Sequence, residues 1–258
     1  MTLQVLVAAV KQNARKLAVK MNLESDAIII NQDDYFNYDE FSLSDSAKVK
    51  SFTFAERGVG LSRNNALLRA SGDIVLFSDE DIILGSGYHE AIVNEFNDHP
   101  KADLILFNVS VDERRATYHN SQFKRVRWYN YGRYPTYSVA ARRGRLHSAG
   151  VTFSLLFGGG APYSNGEDSL FLHDCLKKGL KIYCSPLSIG CEEYRESTWF
   201  SGYNEKFFRD RGVLYYYLYG CMAKVFALRF LFSKKRVMCR EIKLWEAYDL
   251  MKQGISNP

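Results

Sequence analysis

The residues most suited to chemistry are acids at the ends of apolar runs. Ile74-Val75-Leu76-Phe77-Ser78-Asp79-Glu80-Asp81 is a buried-strand pattern that ends in three carboxylates. Such a triplet repels itself unless a cation sits there. Hard oxygen ligands suit Mg²⁺ or Mn²⁺, which can in turn bridge to a diphosphate. The plain alternative is a solvated acidic turn, since short acidic triplets also arise by chance. Asp33 and Asp34 close a second apolar run, Ala27–Ile30, behind Asn31 and Gln32. A third pair, Glu167-Asp168, precedes the helical composition of Ser169–Lys178, where acids favour the first turn.

The elements that must position these acids alternate along the first half of the chain. Leu3–Ala9, Ala27–Ile30, Val49–Phe54, Asp73–Phe77 and Ala102–Phe107 read as strands, and Asn13–Met21, Leu61–Ala70 and Tyr88–Phe96 as helices. Apolar strands separated by helices indicate an α/β fold, with a mostly parallel sheet covered on both faces. In such sheets ligands bind beyond the carboxyl ends of the strands. Both acidic clusters follow a strand directly, so both are expected at that edge.

Composition narrows the classes. The 258 residues are 47% hydrophobic and 24% charged, as in ordinary globular proteins, which excludes global disorder. A net charge of +5 does not by itself imply nucleic acid. The five cysteines show no CxxC pairing and are expected as reduced cytosolic thiols. The amino-terminal residues lack the charged leader and apolar core of a secretory signal, and no charge-free stretch of eighteen apolar residues supports a transmembrane helix.

Taken together, Arg57-Gly58-Val59-Gly60-Leu61-Ser62-Arg63-Asn64-Asn65-Ala66, then Ala70-Ser71-Gly72-Asp73, then Phe77-Ser78-Asp79-Glu80-Asp81 resemble the central block of glycosyltransferase family 2. Gly166-Glu167-Asp168-Ser169-Leu170-Phe171 is similar to the family's downstream Glu-Asp motif, in the family's order. The resemblance runs from about Leu3 to Pro186 and implies a GT-A fold: a Rossmann-like, mostly parallel central sheet flanked by helices. It divides the chain into a catalytic domain, 1–205, and a C-terminal helical extension, 206–258. Within the catalytic domain, 1–110 would bind the nucleotide sugar and 111–205 the acceptor.

The resemblance also implies roles. Asp81 would ligate Mn²⁺ or Mg²⁺ directly, while Asp79 would bind the donor's ribose or a metal-bound water. Glu80 fills the variable middle position. Asp168 would be the base that deprotonates the acceptor hydroxyl, with Glu167 beside it. An inverting transfer needs a carboxylate near the acceptor oxygen and charge stabilisation on the leaving diphosphate. Gln32, Asp33, Arg63 and Asn64 would contact the donor, a guanidinium being suited to a phosphate or a base edge. The family's usual residues after the first strand are replaced by Ala8-Ala9-Val10-Lys11-Gln12-Asn13, so the base is left open. His147 and His173 stand where a further metal ligand would come from. Gly158-Gly159-Gly160 permits close backbone approach to a ligand and serves equally well as a flexible connector.

Two segments suggest partners. Between Arg114 and Arg145 there is no acid, and Trp128, Tyr129, Tyr131, Tyr134 and Tyr137 are interleaved with basic residues. This suits a phosphorylated, sugar-bearing acceptor, and no nucleic-acid-binding motif accompanies it. Arg211–Arg240 again lacks acids and ends near Lys234-Lys235-Arg236. It reads as an interfacial helix on anionic lipid or as a core-packing helix pair. The expected activity is inverting transfer from a nucleoside-diphosphate sugar, a UDP-sugar by resemblance, to a saccharide acceptor carried on polyprenyl diphosphate. The setting would be bacterial capsule, exopolysaccharide or lipopolysaccharide synthesis, with the enzyme cytoplasmic and peripheral on the inner face of the membrane. A sugar nucleotidyltransferase would share the metal and nucleotide chemistry without needing Asp168. A non-catalytic nucleotide-sugar-binding protein would keep the fold without turnover.

Overall fold

The computed structural model describes residues 1–45, 47–113, 116–193 and 202–258, so Arg114 and Arg115 of the basic stretch lie outside the described residues. The chain begins β1 (Leu3–Val10), α1 (Ala14–Lys20), β2 (Asp26–Gln32), then the hairpin β3 (Asn37–Ser44) and β4 (Ala47–Phe54). Helix α2 (Val59–Arg69) leads to β5 (Ile74–Asp79), β6 (Ile82–Leu84), α3 (Tyr88–Asp98) and β7 (Leu104–Ser110). After β8 (Lys124–Arg125) come β9 (Val139–Arg142), α4 (Arg143–Ala149), α5 (Glu167–Lys177) and β10 (Ile182–Glu192). Three helices end the chain: α6 (Glu205–Tyr219), α7 (Ala223–Met238) and α8 (Leu244–Ser256).

The strands form one sheet in the order β3-β4-β2-β1-β5-β9-β7-β10-β6, with β8 beside β10. Strands β4, β2, β1 and β5 run parallel. Leu3 to Ala9 of β1 are all buried because helices cover both sheet faces, which is why this strand is apolar without alternation. Leu17, Ile92 and Phe96 close one face, and Ala66, Leu67 and Phe171 the other. Truncating Phe96 or Phe171 to alanine would cost about 3–5 kcal/mol.

Two strands carry little apolar signal. Strand β3 is an edge strand with mostly exposed residues, so its sequence, NYDEFSLS, has one buried position, Phe41. Strand β9 has four residues and runs antiparallel to both β5 and β7. Its reversal matters for the site. Ala140 pairs with Leu76, so the residues just before β9 arrive beyond the carboxyl end of β5.

The C-terminal helices share a core built from Phe208, Leu214, Ala227, Leu231 and Met251, and this core takes in Phe157 and Leu170 from the sheet-bearing part. Helices α6 and α8 cross at backbone contact, since a Cβ on Gly212 would stand 2.2 Å from the Met251 carbonyl oxygen. The basic tail is therefore a packing element on one face. Its outer face exposes Val225, Phe232, Lys234, Lys235 and Arg236. Among the described residues no helix is long and apolar enough to cross a membrane.

Candidate active site

One guanidinium gathers the acids. Arg63, on the inner side of α2, is 4% exposed. Its Nη2 donates to both carboxylate oxygens of Asp79, at 3.0 and 3.2 Å. Its Nη1 donates to Asp168 Oδ1 at 3.0 Å and to Glu167 Oε1 at 3.3 Å. Asp79 comes from the end of β5 and the other two from the first turn of α5. Arg63, expected as a donor contact, thus spends these hydrogen bonds on protein carboxylates. Its Nε is buried without an acceptor. Beneath it lie Phe153, 5.4 Å from the guanidinium carbon, and Phe171, stacked on Phe153 at 4.1 Å. This aromatic floor keeps the local dielectric low and strengthens the ion pairs above it.

Burial alone would lower the Arg63 pKa, but the charges of Asp79, Asp168 and Glu167 raise it above its ordinary value. One cation cannot neutralise three carboxylates, and Glu167 carries the surplus. Burial first, then the neighbouring Asp168 charge, push its carboxyl up to about 7, against the pull of Arg63. Glu167 Oε2 also accepts from the Gly166 N–H.

The glycine run packs closely against the protein itself, at the start of α2 and at Glu167. Gly158 has φ +104, and a Cβ there would stand 2.7 Å from Val59 Cγ1 and 2.8 Å from the Glu167 carboxyl carbon. The Gly159 carbonyl accepts from the Val59 N–H at 2.9 Å, so the run is pinned to the start of α2.

Asp168 remains partly open, with 30% of its side chain exposed. Thr136, on the short 3-10 turn before β9, donates its hydroxyl to Asp168 Oδ1. Both acids of the pair line a cleft of about 400 Å³, together with Arg133, Tyr137, Glu192 and Arg211. Thr136 and Arg211 carry no local sequence signal for this position. The reversal of β9 brings the first, and the docking of α6 brings the second.

The expected donor-contacting residues and the acidic triplet have defined tasks near this edge, whereas the two histidines have partners elsewhere. Gln32 Oε1 accepts from the Gly58 N–H at 2.8 Å, setting the entry to α2. The Asp33 carbonyl accepts from Arg57 at 2.8 Å. Asn64 exchanges two hydrogen bonds with the Phe153 backbone, at 2.8 and 2.9 Å, and so acts as a clamp on that segment. Glu80 Oε2 accepts from the Val10 N–H at 2.7 Å, tying the end of β1 to the acidic triplet. The Asp81 carbonyl accepts from the Glu193 N–H at 2.7 Å. His147 lies against the Leu67 carbonyl and His173 against Asp174.

A divalent metal fits this edge only in a particular way. Among the described residues no group of three or more acidic, histidine or cysteine side chains is arranged to hold a metal ion, and the three carboxylates around Arg63 are taken up by its guanidinium. Asp79 and Asp81 offer two carboxylates, and Asp79 already serves Arg63. Mg²⁺ commonly binds through one or two carboxylates, with substrate phosphates and water completing its shell. Any metal at this edge would have to be shared with substrate phosphates, since the described residues form no all-protein cage.

Comparison with known proteins bears on the fold and the family. A comparison with curated protein sequences finds no match. Residues 1–349 of S. aureus TarS in complex with UDP-GlcNAc superpose with a TM-score of 0.65 at 15% identity, covering 99% of this chain and 82% of that one. The same TarS segment without that ligand gives 0.62 at 16% identity, covering 99% and 81%. Its complex with UDP gives 0.61 at 16% identity, with the same coverage. At this identity the likeness is one of fold, and the fold is GT-A. The family model of glycosyl transferase family 2 matches residues 24–157, a span that holds Arg63 and the acidic triplet and ends just before the glycine run. Since that span exceeds half of the 258 residues, this chain belongs to glycosyl transferase family 2.

Proposed function

We propose that the protein transfers a sugar, with inversion, from a nucleoside-diphosphate sugar to a hydroxyl of a saccharide acceptor. The observation that carries this reading is the Arg63 bridge, which joins the strand-end acid Asp79 to the partly open carboxylate Asp168. Asp168 would accept the proton of the attacking hydroxyl, oriented by Thr136 and Arg63. Glu167 would adjust the charge next to it. A uridine nucleotide is the donor of choice because the structurally similar TarS is described with UDP-GlcNAc and with UDP. Mn²⁺ or Mg²⁺ held by Asp79 and Asp81 would supply charge stabilisation for the leaving diphosphate. An acceptor on polyprenyl diphosphate, presented at an anionic membrane surface, agrees with the exposed Val225, Phe232 and Lys234-Lys235-Arg236 of α7.

The test is a thermal-shift titration with UDP-sugars in the presence and absence of Mn²⁺, followed by assay of UDP release. A ligand at a hundred times its Kd stabilises the folded state by about 2.7 kcal/mol. A metal-dependent shift that Asp81→Asn abolishes is the expected result. No shift with any nucleotide sugar would sink the donor assignment.

A further inference from the structure

Arg211 has a role that the Arg63 cluster does not explain. It stands on α6 and lines the same 400 Å³ cleft as Glu167 and Asp168. Its guanidinium is sandwiched between Phe207, at 5.3 Å, and Phe230, at 5.4 Å. Its Nε is buried with no hydrogen-bond partner, and among the described residues no carboxylate forms an ion pair with it. Burial pulls its pKa below the ordinary value, against the opposing pull of nearby tyrosines and of Glu167 across the cleft lining. Its neighbour Asp210 does have partners. Asp210 pairs with Lys206 and accepts from the backbone and hydroxyl of Ser164, which ties α6 to the segment entering α5. The fold therefore fixes the backbone beside Arg211 and leaves the guanidinium unpaired at the cleft wall. Arg133 lines the same cleft; it is exposed and lies over Tyr134.

Arg211 is half-buried, with its Nε out of reach of water and of any acceptor, so its charge is available to an anion that enters the cleft. Its planar fork matches phosphate oxygens in a bidentate manner. We infer that Arg211, together with Arg133, forms a phosphate-binding subsite on the acceptor side of the cleft, so that the acceptor carries a phosphate group close to the hydroxyl that receives the sugar. This deepens the glycosyl-transfer reading and rests on it. The same chemistry could come from the donor's diphosphate, and the two sources separate experimentally.

The full-length chain is titrated with inorganic phosphate at constant ionic strength and, in parallel, with UDP plus Mn²⁺. Wild type is expected to bind phosphate saturably. Arg211→Met should weaken that binding by about tenfold, the worth of one charge-assisted contact, and Arg133→Met should weaken it less. The Arg211→Met variant should melt close to wild type, because methionine keeps apolar packing against Phe207 and Phe230 and no ion pair is lost. Arg133→Met, on the rim, keeps the test informative if Arg211→Met folds poorly. UDP affinity that neither variant moves assigns the subsite to the acceptor. Phosphate binding that survives Arg211→Met undiminished overturns the proposal, as does parallel loss of phosphate and UDP. If wild type ignores UDP while phosphate binding still depends on Arg211, the subsite stands and the nucleotide-sugar reading fails.

Discussion

Arg63 Nη1 lies 3.0 Å from Asp168 Oδ1, although the two residues are 105 positions apart in the chain. The bond joins α2 to the first turn of α5, and every prediction below depends on some part of the cluster around it.

Replacing Arg63 with methionine should leave Asp79, Glu167 and Asp168 facing one another with no counter-ion. Breaking a buried pair costs about 3–5 kcal/mol, and the lower end applies because Asp79 and Asp168 keep some contact with water. The loss should be larger at pH 8 than at pH 5, where protonation relieves the repulsion. Urea denaturation at the two pH values measures it; equal losses would contradict the cluster.

Glu167 gives a pH signature with a definite sign. Its folded pKa, about 7, lies above the unfolded value of 4.5, so the folded state holds more protons between these limits. Its contribution to stability is complete below pH 4.5 and is lost as pH rises through 7. Glu167→Gln should remove that part of the pH dependence, up to about 3 kcal/mol. Melting curves from pH 4 to pH 8 for both proteins would test this, and parallel profiles would refute it.

Asp168→Asn should reduce kcat/KM by about 10²–10⁴-fold while leaving UDP affinity near wild type. The amide can still meet Thr136 and cannot take a proton. Turnover close to wild type would move the base to another residue, with Glu167 next in position.

Gly158→Ala adds a methyl group into Val59 and the Glu167 carboxyl at a left-handed φ. The expected cost is about 1–3 kcal/mol. Activity should fall further than the stability loss explains, because the displaced carboxyl belongs to the cluster. Soluble, stable protein with full activity would show that this approach is not needed.

How far the sequence carries depends on the range of each interaction. The five apolar strands and three helices read from the first half all occur, because burial on both sheet faces and helical periodicity are written locally. Strand β3 escaped because an edge strand with one buried position has no apolar pattern to read. The acids at the ends of β5 and at the start of α5 were readable from their neighbours. The partner they share was not: Arg63 was expected to contact the donor, and its place among the acids appears only when folding brings Glu167 and Asp168 to it from more than a hundred residues away. Thr136 depends on the antiparallel course of β9, and the tail's aromatic residues could be assigned to core or surface only once α6, α7 and α8 were seen to pack together.

A guanidinium shared among three carboxylates makes the two halves of the cleft thermodynamically reciprocal. Any ligand that draws Asp79 away from Arg63 leaves that cation more fully committed to Asp168 and Glu167, and so favours the ionised form of Glu167. Occupation of the strand-end edge is then linked to proton release on the far side, and raising the pH must in turn tighten that occupation. Calorimetry in buffers of different ionisation enthalpy would register this exchange as protons lost per ligand bound, without any turnover taking place.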